Sequence, residues 1–353
     1  MRTTELTGYK QYIARKWFAM VVATVVLLLA SLWSISAGSA GLTVGNILQA
    51  IAHKGDAKNI TIIWNVRLPR VCTAIVIGCG LAMSGCVMQN VLRNPMASAS
   101  TLGVSQGACF GAAVGIVFLD GGVQVGNTTA NFTVTNGATV STLAFCGGMI
   151  TTLVILALSR GRRATPGTMV LAGVALSSIF SGMTTLIQYF ADDVKTASLV
   201  YWTFGSLNKA TWQQIGTMSA TAAIAFLYFY YHRLNFNAME AGTATAKSLG
   251  VPVDRITVIS LILSALVASV SVAFAGSIGF IGLIAPHIMR KFVGNDYRFL
   301  IPGSALGGAA LLLLADVASR IILPPVVLPI GALTSFLGGP MFLYLCLKGG
   351  KRK

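Results

Sequence analysis

GFIGLIAPHIMR, residues 279 to 290, combines features that rarely share one segment. It is apolar enough to lie in a membrane, yet it carries two glycines, Pro286 in mid-run and His287 beside it. Proline removes a backbone donor and frees a carbonyl one turn earlier, and a polar ring at membrane depth needs a partner. Both are tolerated in a bilayer only where protein or a water-filled path receives them. Gly279, Pro286 and His287 are therefore read as lining a pathway. The preceding AGSIG, residues 275 to 279, strengthens that reading, because short segments interrupted by Gly and Pro mark substrate paths in transporters.

Composition extends the membrane assignment to the whole chain. Of its 353 residues 55% are hydrophobic and 10% are charged, and the mean hydropathy is +0.77. Soluble domains carry about a quarter charged residues. The expected fold is all-α, a polytopic membrane protein with about ten transmembrane helices at about 20 residues per span, forming a single transmembrane domain over residues 1–353. Apolar runs between polar breaks place spans near residues 17–36, 68–90, 98–119, 138–158, 167–190, 211–231, 255–275, 281–293, 300–321 and 329–347. The first run precedes SAGSA, which mimics a cleavage site, but it exceeds the apolar core of about 7 to 15 residues in a signal peptide. A retained first span is expected.

The net charge of +16 would suit a nucleic-acid partner, but the bases sit in short clusters between apolar runs, so no nucleic acid is expected. With the N-terminus inside, 18 Lys and Arg fall on inner segments and 7 on outer ones. That asymmetry puts both termini in the cytoplasm. The six cysteines form no C-x-x-C pair, and neither a zinc site nor a disulfide framework is implied. Cys72, Cys79 and Cys86 share one helical stripe and read as small packing residues. GVSQG, residues 103 to 107, fits the nucleophile elbow G-x-S-x-G, but no strand precedes it, so it reads as close helix packing and no catalytic residue is assigned. No G-x-x-x-x-G-K-[ST] occurs, so the chain cannot cradle nucleotide phosphates in a P-loop by itself.

In chain order, RLPR (67–70), RNPMASASTLGVSQGA (93–108), LAGVALSS (171–178), WTFGSL (202–207), AKSLGV (246–251), GFIGLIAPHIMR, LLLLADVASR (311–320) and LPIGALTSFLGGPMFLYL (328–345) are together distinctive. The series resembles the FecCD family of ABC importer permeases, the membrane subunits that take up ferric siderophores, haem and vitamin B12. It spans nearly the whole chain. The resemblance implies a permease in a bacterial cytoplasmic membrane, embedded in lipid and paired with a second copy or close paralogue. It further implies two ATPase subunits beneath, an extracytoplasmic substrate-binding protein above, and alternating access that carries a chelate inward, a ferric siderophore before haem or cobalamin. The chain itself would bind no cofactor, ATP and Mg belonging to the partner ATPase.

Candidate residues follow from both lines. Arg67, Arg70 and Arg320 stand at span ends on the expected outer side, where they either snorkel or accept carboxylates. The resemblance makes them the docking patch for glutamates of the binding protein. Asp316, one turn before Arg320, is spaced to neutralise it. The inner loop 234–255 carries Glu240, Thr243, Lys247, Leu249, Gly250 and Val251, and its composition allows two short helices. The resemblance makes it the loop that couples to the ATPase, although Thr243 stands where the family usually has an acid. Ala99 and Val327 likewise replace a proline and an acid of the family pattern. Pro166 and Gly167 break the helix at the start of the fifth span. The resemblance puts them, with Leu171, Gly173 and Ser177, on the path, and the turn 160–168 at the inner gate. The rival reading is an ion- or proton-coupled secondary transporter. Such coupling usually places several acids, or an acid with a histidine, at midplane, and here only Asp316 and His287 are on offer.

Overall fold

A backbone immersed in lipid must close its own hydrogen bonds, and this chain does so with helices. The computed structural model describes residues 2–37, 43–119, 123–125, 132–134, 137–159, 166–208, 210–324 and 326–349. Helix α1 (Arg2–Ser36) leads through α2 (Val44–Ile51) and α3 (Ala57–Ile62) to a π-helical turn, Ile63–Arg67, which runs directly into α4 (Leu68–Val91). Next come α5 (Val104–Val117), the strands β1 (Val123–Val125) and β2 (Phe132–Val134), α6 (Gly137–Ser159) and α7 (Pro166–Phe190). Then α8 (Asp193–Thr203), α9 (Trp212–Tyr231), α10 (Arg233–Glu240) and α11 (Thr243–Ser248) follow. The chain closes with α12 (Val253–Ala275), α13 (Ile281–Val293), α14 (Tyr297–Ile321) and α15 (Ile330–Gly349).

Helices occupy all ten expected positions, and among the described residues six stretches are long and apolar enough to cross a membrane. These are Lys10–Ser36, Ala57–Val91, Gly137–Leu158, Gly167–Phe190, Val253–Ala275 and Tyr297–Ile321. Among the described residues the departure from an all-α chain is the antiparallel pairing of β1 with β2, Val-Gln-Val against Phe-Thr-Val, residues that suit a strand. The third expected span starts later than its apolar run, at Val104, because Gly103 takes a left-handed backbone (φ +80) and the preceding Ser98 to Thr101 close their polar groups on one another.

Helix α4 is the centre of the bundle, packed on α14, α12, α13 and α9. Its glycines set how close those neighbours come. A Cβ on Gly78 would overlap the backbone of Gly308 in α14, and one on Gly85 would overlap Gly282 in α13. Gly107 and Gly111 of α5 meet Gly147 and Leu143 of α6 in the same way, which accounts for the GVSQG motif. Small residues of this kind let helix backbones approach where lipid tails supply no hydrophobic drive.

Between α12 and α13 the chain leaves the helix at Gly276 (φ +74) and re-enters at Phe280, whose φ of +64 is costly for a residue with a side chain. Its ring sits against Gly338 of α15. The break is held from outside. Ser206 N donates to Ala275 O at 2.7 Å, and Gly331 N at the start of α15 donates to Phe204 O at 3.1 Å. Inside α13, Pro286 leaves Gly282 O without its helical donor, and Gln89 of α4 reaches it with a long hydrogen bond of 3.4 Å.

At the opposite end of α14, Asp296 caps the helix and accepts from Asn237 of α10 (3.0 Å) and Lys16 of α1 (3.4 Å) as well as from Arg298. Burial alone would raise its carboxyl pKa, but hydrogen bonds from Arg298 and Asn237 outweigh that and hold it well below the usual carboxylate range. Three elements are thereby tied at one acid.

The close approach of α4 to α13 is directly testable. Gly85→Leu must push the helices apart or strain both, costing about 3 kcal/mol or more by overpacking, whereas Gly216→Ala on α9, where a Cβ meets open space, should be neutral or stabilise by up to about 1 kcal/mol. Thermal unfolding of the detergent-purified protein reads both. Equal midpoints for the two variants would contradict this packing.

Candidate functional site

The three arginines lie together at one end of the bundle, and their guanidinium groups turn inward. Asp316, fully buried, accepts from Arg70 Nε at Oδ1 (2.7 Å), and Arg320 NH2 lies 3.0 Å from its Oδ2. Arg70 NH1 donates to Asn208 Oδ1 at 2.7 Å. Arg67 donates to the carbonyls of Ile35 and Ser36, and Arg320 to those of Ser34 and Ala37 (2.8 Å to the latter) and to Ser34 Oγ. The last carbonyls of a helix have no internal donor, and cations suit that end of the dipole. Arg67 and Arg320 thus cap α1. Arg67 and Arg70 are only 7% and 8% exposed: desolvated guanidinium must be paired, and Asp316 and the α1 carbonyls are the partners within reach.

Even so, the cluster is not neutral, because Arg70 and Arg320 share one carboxylate and Arg67 meets only carbonyls. Arg70 also lines a cavity of about 350 Å³ formed with Tyr201, Phe204 to Asn208, Ser319 and Val327 to Ile330. The start of α15 lines this cavity, and Gly205 and Ser206 in its wall abut the α12–α13 break at Ser277 and Ala275. Val327 thus borders it, where the family pattern carries an acid.

At the other end, α10 and α11 form the two short helices of the 234–255 loop. Phe236, Met239 and Ala246 anchor them in the core, while Leu249 is 68% exposed and Gly250 turns with φ +80. Lys247 pairs with Asp254 at 3.1 Å on the surface, Val251 is half-buried and Thr243 opens α11. Glu240 is exposed as a residue, but its carboxylate is engaged within the protein. Asn90 (3.2 Å), Tyr297 (3.3 Å) and Asn295 (2.8 Å) donate to it, so it fastens α10 to α4 and α14. A carboxylate with three internal donors has little left to offer a partner.

The expected path residues fall into two separate groups. Helix α7 packs on α5 and α6, whereas α13 packs on α14, α4, α15 and α1. Leu171 is 69% exposed, Gly173 rests on Leu102, and Ser177 Oγ donates back to Gly173 O at 2.8 Å. Gly279 lies open in the α12–α13 break, Pro286 is buried and His287 half-buried. Gly167 is exposed at the start of α7; the side chain of Pro166, and residues 160–165 of the expected gate, lie outside the described residues. One chain alone does not bring the two groups together. Sequence reasoning missed Gln89, Asn90, Asn208 and Asp296, although the polar pair Gln89-Asn90 ending an apolar helix was a visible signal.

Comparison with known proteins now bears on this geometry. The FecCD transport family profile matches residues 26–348. MJ0087 of Methanocaldococcus jannaschii, provisionally named an ABC transporter permease protein, is 48% identical over 98% of both chains. The hemin transport system permease HmuU of Yersinia pestis is 37% identical over 81% of this chain and 83% of its own. The vitamin B12 import system permease BtuC of Salmonella typhi is 35% identical over 98% and 100%. Among solved structures, an inward-facing ABC transporter provisionally described as of metal-chelate type superposes with a TM-score of 0.79 at 29% identity, covering 93% of this chain and 98% of that one.

Removing the shared carboxylate should be far more damaging than its burial alone suggests. Asp316→Ala leaves Arg70 and Arg320 as uncompensated buried charges, at a cost of about 3 to 5 kcal/mol. Unfolding of the purified variant should show that loss, and adding Arg70→Met should recover part of it. A single Asp316→Ala variant as stable as the parent would contradict the cluster.

Proposed function

Because the chain belongs to the FecCD transport family, we propose that it is the permease subunit of an ABC importer for a metal chelate, with two copies or a copy and a paralogue surrounding the path. A ferric siderophore is the first candidate cargo, with haem and cobalamin next; relatives named for hemin and vitamin B12 support the class. In this reading the helices at the ten expected span positions cross the membrane, residues 1–353 form one domain, and both termini and the α10–α11 loop face the cytoplasm, in keeping with the Lys and Arg distribution.

The observation that carries the reading is the broken α12–α13 segment beside the arginine-lined cavity, with a separate exposed loop at the far end. A binding protein would dock at the arginine end, where the surplus positive charge and the cavity wall at Arg70 suit a partner's carboxylate. Helix α7 presents Leu171, Val174, Leu186, Tyr189 and Phe190 outward, a face that suits a second copy and would bring Gly173 and Ser177 to a shared path. ATPase subunits, carrying ATP and Mg, would seat against Leu249 and Gly250, and their closure would drive alternating access with the 160–168 turn as inner gate. Ion-coupled secondary transport is disfavoured by Asp316, which is committed to Arg70 and Arg320 rather than available as a proton carrier.

Leu249 is apolar, exposed and remote from the core, so Leu249→Asp should leave the fold intact while lowering ATP-driven chelate uptake about tenfold or more, as loss of an interface hot spot does. Uptake into vesicles, measured with ATPase activity and copurification of the ATPase, reads the effect. Unchanged uptake and copurification would remove the loop from the ATPase interface.

A further inference from the structure

Beneath α10 lies a polar cavity of about 190 Å³ whose wall includes Gln89 and Asn90 of α4, Arg93, Glu240 and Arg290 of α13. Its hydrogen bonding is incomplete in a particular way. Asn90 Nδ2 donates to Phe236 O at 3.1 Å and to Glu240 Oε2 at 3.2 Å, and Gln89 Nε2 donates to Gly282 O. All three acceptors are oxygens without a proton to give, so they fix the orientation of both amides. Gln89 Oε1 and Asn90 Oδ1 remain as acceptors, on side chains only 4% and 3% exposed, and Arg290 Nε remains as a buried donor; none of the three has a hydrogen-bond partner among the described residues. Buried polar groups of this kind are costly unless something meets them.

The charges narrow what that something is. Glu240 is already engaged by Asn90, Tyr297 and Asn295, so two arginines face one committed carboxylate. A cation is disfavoured there. A fully deprotonated oxyanion such as sulfate would satisfy the guanidinium groups but bring no proton to the two amide oxygens. A phosphate that keeps one P–OH does both: its bare oxygens accept from Arg93 and Arg290, and its hydroxyl donates to Gln89 or Asn90. We propose that this cavity binds a protonated phosphate group, either inorganic phosphate or a phosphate monoester. Arg93, which leaves α4 in a left-handed conformation (φ +46), sits at its exposed rim. An occupant would join α10 to α4 and α13, adding α13 to the link that Glu240 and Asn90 already make between α10 and α4. The proposal does not depend on the transported cargo or on any partner subunit.

The test uses the purified full-length chain in phosphatidylcholine nanodiscs, whose lipid is a phosphodiester without P–OH. Inorganic phosphate and, at equal ionic strength, sulfate are titrated near neutral pH, with binding followed by calorimetry and thermal stability. Phosphate should bind saturably, sulfate about tenfold or more weakly, and Arg290→Gln and Arg93→Gln should each weaken phosphate binding by a similar factor. Arg93, at the exposed rim, keeps the test open if Arg290→Gln fails to fold. Nanodiscs carrying phosphatidic acid, compared with phosphatidylglycerol, distinguish the sources: stabilisation by phosphatidic acid without response to inorganic phosphate assigns a lipid monoester. Phosphate and sulfate binding equally, no saturable response to either phosphate source, or unchanged phosphate affinity in a folded arginine variant would overturn the proposal.

Discussion

The carbonyl of Gly282 is the group on which the architecture depends. Pro286 deprives it of a helical donor, and in a bilayer an open carbonyl has no water to turn to. The protein meets it with Gln89 from α4, and only because Gly85 and Gly282 lack side chains can the two backbones come close enough. That approach fixes α4 against α13. Around it, α14 closes on the same helix through Gly78 and Gly308, so the most buried helix is also the one with glycines at its contacts. A segment broken at Gly276 to Phe280 can then exist beside it, held by backbone bonds to Ser206 and by the ring of Phe280 on α15.

Charge is handled by the same logic at the two ends. Arg67 and Arg320 cover the open carbonyls of α1, and Asp316 draws Arg70 and Arg320 inward from helices far apart in sequence. Buried ion pairs of this kind add little net stability when complete and cost much when one member is lost. Their effect here is to fix where α1, α4 and α14 end relative to one another. At the far end Asp296 and Glu240 do the corresponding work for α10, so the exposed loop tip at Leu249 projects from a firmly fastened base. A motion imposed on that tip would be transmitted to α4 and α14 rather than absorbed locally.

Much of this was legible in the residues. Dense apolar runs placed helices at ten positions, and Pro286 announced a carbonyl that some other helix had to receive. Which side chain would receive it was not legible, because Gln89 lies 193 positions away and pairs across the bundle. The arginines were legible as exceptional but not in direction. Their distribution suggested a surface facing a partner; the one-turn spacing did announce the Asp316–Arg320 pair, but the reach of Arg70 to Asp316 and of Arg67 and Arg320 to the end of α1 depends on three-dimensional proximity that spacing cannot express. Short helices such as α2, α3 and α8 were missed because they are too brief for a periodic signal and begin on side-chain caps from Thr43, Asp56 and Asp192. The partners of Glu240, which are Asn90, Asn295 and Tyr297, were hidden for the same reason that Gln89 was missed.

The central claim is that this broken-helix bundle moves cargo under the control of separate ATPase subunits. The most direct measurement is uptake of a labelled chelate, with ferric siderophore, haem and cobalamin tried in turn, into proteoliposomes holding the permease with its ATPase, binding protein outside and ATP inside. The account predicts accumulation that requires ATP hydrolysis and persists when proton and sodium gradients are collapsed. Accumulation by the permease alone, driven by an ion gradient without ATP, would contradict it.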